Sequence, residues 1–173
     1  MGPLPTGTLT FLLTDIQGST RLWEHHPDVM PGVLERHDAL VRGCVEAYQG
    51  HVIRCRGEGD AIFAVFTNAG SAAGAVAAAQ RALFAEPWPE TTPIRVRAAI
   101  HTGEAQLRDE DYYGSAINRC ARIRSLAFGG QTLVSEAVRA LIQDGLPEEI
   151  LLRDLGVHRL RDLQRPERIY QLL

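Results

Sequence analysis

The chain has 173 residues, 45% of them apolar and 23% charged, with a formal net charge of -3. That length accommodates one domain with a proper core, and the composition is that of a folded globular chain, which excludes intrinsic disorder and a coiled coil. The slight negative charge gives no general attraction for nucleic acid, so no nucleic-acid partner is expected, and any polyphosphate must be held by a local site with metal or a few placed cations.

In chain order, residues 8–14 are predicted to form a buried strand, and a helical pattern starts at Ser19, after the Gly18 turn, and runs through Leu22 and Trp23 until Pro27 and Pro31 interrupt it. A longer helix carries Val33, Leu34, His37, Leu40, Val41, Cys44, Val45 and Tyr48 at helical spacing until Gly50 stops it. Residues 52–56 and 61–66 flank Gly57-Glu58-Gly59-Asp60 in the manner of a short hairpin. The Ala-rich stretch from Ser71 to Ala85 is a strong helix former, ended by Pro87 and Pro89. Ile94, Val96, Ala98 and Ile100 alternate with Arg95, Arg97 and Ala99 as a strand with one buried face, which His101-Thr102-Gly103 is expected to close. Tyr113 to Leu126 is again helical, Thr132-Leu133-Val134 a short strand, and Ser135 to Ile142 a helix. Strands alternating with single helices, plus one hairpin, favour an α/β sandwich of the ferredoxin-like type over a uniformly parallel sheet.

Cys44, Cys55 and Cys120 are odd in number and without CxxC spacing, which suits neither a disulfide framework nor a zinc cluster and fits a reducing cytoplasm. No apolar stretch approaches the roughly 20 residues of a membrane span, and no basic-then-apolar leader opens the chain, so a cytoplasmic protein with no membrane attachment is expected.

Two aspartates stand out. Asp15 ends the apolar run from Leu9, and Asp60 precedes Ala61-Ile62-Phe63, so each stands where a strand meets a Gly-bearing turn. If the two strands are neighbours, their carboxylates converge as a site for divalent cations against a triphosphate. Taken singly, each also has an ordinary use, Asp15 as a helix N-cap and Asp60 as a turn residue. Gln17, Gly18, Ser19 and Thr20 lie between Asp15 and a helix start, where backbone N–H groups suit phosphate, although a plain strand-to-helix turn has the same pattern. Asn118 and Arg122 are four apart, on one face of one helix.

Three stretches, residues 11–20, Gly59-Asp60 with its apolar continuation, and residues 111–122, together resemble the class III nucleotidyl cyclase catalytic domain, in the right order from about Thr8 to Ser135. The resemblance implies an α/β (α+β), ferredoxin-like or palm-like sandwich with a mixed, mostly antiparallel sheet and helices packed on it. It also implies one cyclase catalytic domain over 1–173, with a motif-bearing core over about 8–135 and a C-terminal helix and strands over 135–173. The implied activity is conversion of a nucleoside triphosphate, ATP first, to the 3′,5′-cyclic monophosphate and pyrophosphate, at sites shared between the two protomers of a homodimer.

On the same resemblance, Asp15, Ile16 and Asp60 hold two divalent ions per site, Mg²⁺ or Mn²⁺. Gln17, Gly18, Ser19 and Thr20 hold phosphates, Asn118 orients the ribose and Arg122 meets charge on the α-phosphate. Asp111, seven residues before Asn118, accepts from the exocyclic amine of adenine. Its usual partner in base recognition is a Lys four residues before the second metal-binding Asp, and here that residue is Arg56. The bulkier guanidinium leaves open ATP with altered affinity, another base (GTP or a pyrimidine nucleotide), or a catalytically weak nucleotide-binding and dimerisation module. Arg54 competes for this role if the hairpin register differs. Residues 160–168 resemble the family's final strand, where Arg161 would reach the triphosphate, and a solvated charge run has the same look. His101 is assigned no catalytic role, because a strand-end histidine commonly satisfies local hydrogen bonds. Losing Asp15 is expected to leave the fold largely intact, because two carboxylates without metal repel.

Overall fold

The computed structural model describes residues 2–53 and 59–173. Its sheet is built around β1 (Gly7–Ile16), whose alternation sends Leu9, Phe11 and Leu13 to one face and Leu12 and Ile16 to the other. The chain continues through α1 (Ser19–His25) and α2 (Met30–Ala47), with Pro31 in the first turn of α2, where its missing N–H costs nothing. The expected hairpin follows as β2 (His51–Ile53) and β3 (Ile62–Phe66), antiparallel with His51 opposite Val65 and Ile53 opposite Phe63. Residues 54–58 of its tip, Arg54, Cys55 and Arg56 included, lie outside the described residues.

The Ala-rich segment forms α3 (Ala69–Ala85), capped by Asn68, whose side chain accepts the Ser71 N–H at 2.9 Å. Then come β4 (Val96–Arg108), β5 (Asp111–Tyr113), α4 (Ser115–Arg124), β6 (Thr132–Ser135), α5 (Glu136–Ile142), β7 (Leu152–His158) and β8 (Glu167–Leu172). The strand order is β2-β3-β1-β4-β6-β8-β7, with β5 on β4, and β4–β6 is the parallel pair in an otherwise antiparallel sheet. This is the mixed, mostly antiparallel α/β sheet with packed helices that the motifs implied.

Two sequence expectations are corrected here. His101-Thr102-Gly103 does not close β4, which runs on to Arg108. Gly103 answers to packing, because a Cβ there would come within 2.6 Å of the Ala116 Cβ at the start of α4. The helix expected from Tyr113 begins at Ser115, because residues 111–113 turn back on β4 with Arg108 opposite Asp111. The connection is two residues, Asp109 and Glu110, with φ of 51° and 61°, the positive values of a tight hairpin turn.

The two faces of the sheet are covered unequally. One carries α2, α3 and α5 over Leu12, Val45, Phe66, Val76 and Ile100. The other carries α4 over Phe11, Leu13, Phe63 and Ile123, with the buried Tyr112 ring against Phe11 and Phe63 at 6.2 and 6.3 Å and its hydroxyl donating to the Pro5 carbonyl at 2.7 Å. Among the described residues no helix is long and apolar enough to cross a membrane.

Candidate active site

Asp15 follows Leu13 by two and so lies on the α4 face of β1. The β1–β4 register sets it directly opposite Arg97, a cross-strand pair of opposite charge. The pair is a fork: Arg97 Nε donates to Asp15 Oδ1 at 2.7 Å and Nη2 donates to Oδ2. Asp60 arrives from β3. That strand pairs Ile62 with Thr14, the same register carried two residues on puts Asp60 across from Ile16, and Asp60 Oδ2 accepts the Ile16 N–H at 2.9 Å. The Asp15 hydrogen bonds, with the charge of Asp60 adding, hold the Arg97 guanidinium above even its ordinary high range against the opposing effect of burial. Both aspartates therefore lie at the same end of the central strands β1 and β3.

Sequence reasoning missed the second cation. Arg124, in the last turn of α4, donates from Nη1 to the Thr14 carbonyl at 3.2 Å and brings Nε to 3.5 Å from Asp15 Oδ2. Nothing in its position two residues past Arg122 announces this, because the contact depends on how α4 lies across β4 and β1 in the folded chain. These two guanidiniums correct the premise that the carboxylates repel without metal: Asp15 is compensated by the protein's own cations, and its side chain is only 14% exposed.

The turn after β1 is partly committed already. Gln17 donates its N–H to the Arg95 carbonyl at 2.8 Å, and its side-chain oxygen accepts from the Gly129 N–H, so Gln17 fastens the turn to the loop after α4. This takes the Gln17 N–H out of the expected phosphate cradle. Gly18 has φ 69°, a left-handed conformation, and Ser19 and Thr20 open α1, whose first N–H groups have no intrahelical acceptor.

Asn118 is exposed on α4, and Arg122, on the same face, donates from Nη2 to Asp162 Oδ2 at 3.3 Å. Arg161 lies in the connection between β7 and β8 rather than in a final strand, which is Glu167–Leu172; its side chain is 84% exposed and 3.8 Å from the same Asp162 carboxylate. One carboxylate thus gathers Arg122 and Arg161. Asp111 stands apart on β5, its Oδ1 accepting the Tyr112 N–H at 2.7 Å. Its partner Arg108 is eleven residues along β4 from Arg97, roughly 35 Å at the rise of a strand. Within one chain, the acid pair and Asp111 are at opposite ends of β4. Arg56, expected beside Asp111 in base recognition, is among the residues not described.

His101 is buried midway along β4, with Nδ1 2.7 Å from Ser135 Oγ, and Ser135 caps α5 by accepting the Val138 N–H. Burial, helped by the nearby Arg119 charge, lowers its pKa to about 4, so it is neutral at physiological pH and serves the structure. Cys120 is a buried thiol hydrogen-bonded to the Ala99 and Phe11 carbonyls and pushed up to about 12 by burial, hence inert. Cys44 and Cys120 are both free. Among the described residues no three His, Cys, Asp or Glu side chains cluster as a metal site. Two carboxylates alone suit an ion that completes its shell with phosphate oxygens and water.

Residues 3–172 match the model of the adenylate and guanylate cyclase catalytic domain. The chain belongs to that family. An uncharacterized protein of Mycobacterium tuberculosis is 44% identical over 168 residues, 97% of this chain and 56% of its own length. The receptor-type adenylate cyclase GRESAG 4.3 of Trypanosoma brucei brucei is 30% identical over 97% of this chain and 17% of its own. A Trypanosoma brucei adenylate cyclase solved in its monomeric state superposes with a TM-score of 0.86 at 26% identity, covering 97% of this chain and 90% of that one. The chain spans about half the length of the mycobacterial relative.

Proposed function

We propose that this cyclase domain converts a nucleoside triphosphate, ATP first, to its 3′,5′-cyclic monophosphate, at sites completed by a second copy of the chain. The observation that supports this is the separation along β4. Asp15 and Asp60 end the strand pair at one extreme, Asp111 is on the hairpin arm at the other, and Asn118 and Arg122 face outward from α4 between them. A head-to-tail pair of chains apposes the acid end of each to the arm of the other, so two identical chains form two complete sites and one chain forms none.

In this reading the ribose 3′-oxygen attacks the α-phosphorus, the bond from that phosphorus to the bridging oxygen of pyrophosphate breaks, and the hydroxyl proton is released. Asp15 and Asp60 would hold the divalent ions, Mg²⁺ or Mn²⁺, which acidify the 3′-hydroxyl and neutralise phosphate charge. Arg122 supplies a permanent planar cation to the α-phosphate, and leaves Asp162 to do so. Asn118 orients the ribose, and Asp111 accepts from the base amine. The N–H groups of Gly18, Ser19 and Thr20 are placed for the phosphate tail, and Arg161, beside Arg122, offers a second cation to it.

Incubating the purified chain with ATP, GTP, CTP and UTP in turn, with Mn²⁺, and weighing the products by mass spectrometry tests this. One cyclic monophosphate is expected, the one from ATP, with specific activity that falls on dilution below the dimer dissociation constant. No cyclic product from any triphosphate would leave a nucleotide-binding or dimerisation module.

A further inference from the structure

The carboxylate proposed as the first cation ligand is already satisfied by the protein's own cations. Asp15 takes a fork of two hydrogen bonds from Arg97 and the Nε of Arg124 at 3.5 Å, and its side chain is 14% exposed against 13% for Arg124. Arg97 comes from the neighbouring strand and is forced to this place by the register. Arg124 comes from α4 and is held by a second bond to the Thr14 carbonyl, so it reaches over β1 rather than dangling into solvent. A divalent ion on Asp15 adds two positive charges where two guanidinium charges already stand, in a half-buried setting where water screens them poorly. Both cannot be accommodated at full strength.

We propose that Arg124 is a positioning residue that sets the cation requirement of this site: it keeps Asp15 neutralised in the metal-free protein, and divalent-ion occupancy is coupled to its withdrawal from that carboxylate. The inference rests on Asp15 being a cation ligand. It follows by reciprocity that weakening the Arg124 contact strengthens ion binding by the same factor that ion binding weakens the contact. The contact therefore makes the domain demanding of cation and keeps the carboxylate pair from holding ions in the absence of nucleotide, whose phosphates supply the remaining oxygens.

The test is a Mn²⁺ titration of the whole chain followed by electron paramagnetic resonance, in which the signal of the free aquo ion disappears on binding, performed with and without 3′-deoxy-ATP, which lacks the attacking hydroxyl. Arg124→Gln is expected to bind Mn²⁺ about tenfold more tightly than the wild type, within the usual range of coupling between two sites. Asp15→Asn and the double variant Asp15→Asn/Arg124→Gln should both bind weakly and equally. Affinity that is unchanged or lower in Arg124→Gln, while Asp15→Asn still weakens binding, overturns the proposal and leaves the metal site standing. Absence of Asp15-dependent Mn²⁺ binding in every variant, with and without the nucleotide, overturns the metal site and this proposal together. Should Arg124→Gln not fold, the wild-type chain decides by NMR of its arginine Nε–Hε groups, assigned with Arg124→Lys and Arg97→Lys. Adding Mg²⁺ with 3′-deoxy-ATP is expected to shift and mobilise the Arg124 resonance, and an Arg124 signal unmoved at saturating nucleotide overturns the coupling.

Discussion

The two ends of β4 are built on opposite plans. At the Arg97 end, half-buried charges from four elements are brought together: Asp15 from β1 is forked by Arg97 from β4 and approached by Arg124 from α4, and Asp60, before β3, holds the Ile16 N–H and adds its charge to the field at Arg97. At the Arg108 end, the chain leaves the sheet as a two-stranded arm, with Asp109 and Glu110 at its tip, the Arg108 guanidinium over the Tyr113 ring at 5.5 Å, and Asp111 accepting the Tyr112 N–H. The first end is a closed electrostatic unit that helps to hold three strands and a helix together. The second anchors itself through Tyr112, with Ala105 and Leu107 packed beside it, and turns its charged residues outward. The proposed head-to-tail pairing draws on this contrast between a self-contained end and an outward-facing arm.

The largest effect should come from asking whether the acid end and the outward face of α4 serve one reaction across two chains. Asp60→Asn is expected to lower turnover by about 10³-fold, and Asp15→Asn and Arg122→Ala each by at least about 10²-fold, because each removes an interaction strongest at the charged transition state. Mixing Asp15→Asn with Arg122→Ala chains in equal amounts should then recover about a quarter of wild-type activity: half of the dimers pair unlike chains, and each of those holds one intact site of two. Measured activity that stays at the level of the separate variants breaks the comparison, because it means that the acid end and Arg122 act within one chain.

Much of this arrangement could be anticipated from residue order, and the failures have physical causes. That Asp15 and Asp60 lie at one end of neighbouring strands follows from Asp15 closing one apolar run, Asp60 preceding another, and the pairing of β1 with β3. Asn118 and Arg122 were readable from helical spacing. Arg97 appeared only as an outward residue of an alternating strand, and its role required the register that faces it to Asp15, a tertiary fact. Arg124 likewise depends on where α4 crosses β1. The β4–β5 hairpin was hidden because Asp109-Glu110 takes up positive φ without the Asn-Gly or Asp-Gly pair that normally announces such a turn. Gly103 looked like a strand end because the helix that needs its missing side chain is distant in sequence. Arg161 was placed in a strand because residues 160–168 resemble the family's last strand, whereas that strand starts at Glu167.

Between the two ends, His101 provides a measure of how tightly the middle of β4 is packed. Its pKa of about 4 in the folded chain lies below the ordinary value of 6.5, so the native state refuses a proton that the unfolded chain accepts. Stability should be unaffected above pH 6.5, fall by up to about 3 kcal/mol as pH drops from about 6.5 to about 4, and lose nothing further from this group below that. Chemical denaturation of wild type and His101→Gln across this range checks the sign. The wild-type curve should fall more steeply toward pH 4, and parallel curves would mean that the centre of the strand admits water as readily as its ends.

The smallest difference, and the sharpest for the comparison, is in stability at neutral pH without metal or nucleotide. Asp15→Ala strips the acceptor from two guanidiniums that are 29% and 13% exposed, and leaving such groups uncompensated should cost about 1–3 kcal/mol. Asp111→Ala removes a local bond to the Tyr112 N–H and should cost no more than about 1 kcal/mol. Thermal or urea unfolding of the two metal-free variants, followed in parallel, measures both losses. An Asp15→Ala chain as stable as Asp111→Ala would show that Arg97 and Arg124 find water when the carboxylate goes, in which case the acid end is as open as the arm. A loss concentrated at Asp15 makes one end of β4 part of the fold's own stability, with the other kept for what the chain meets.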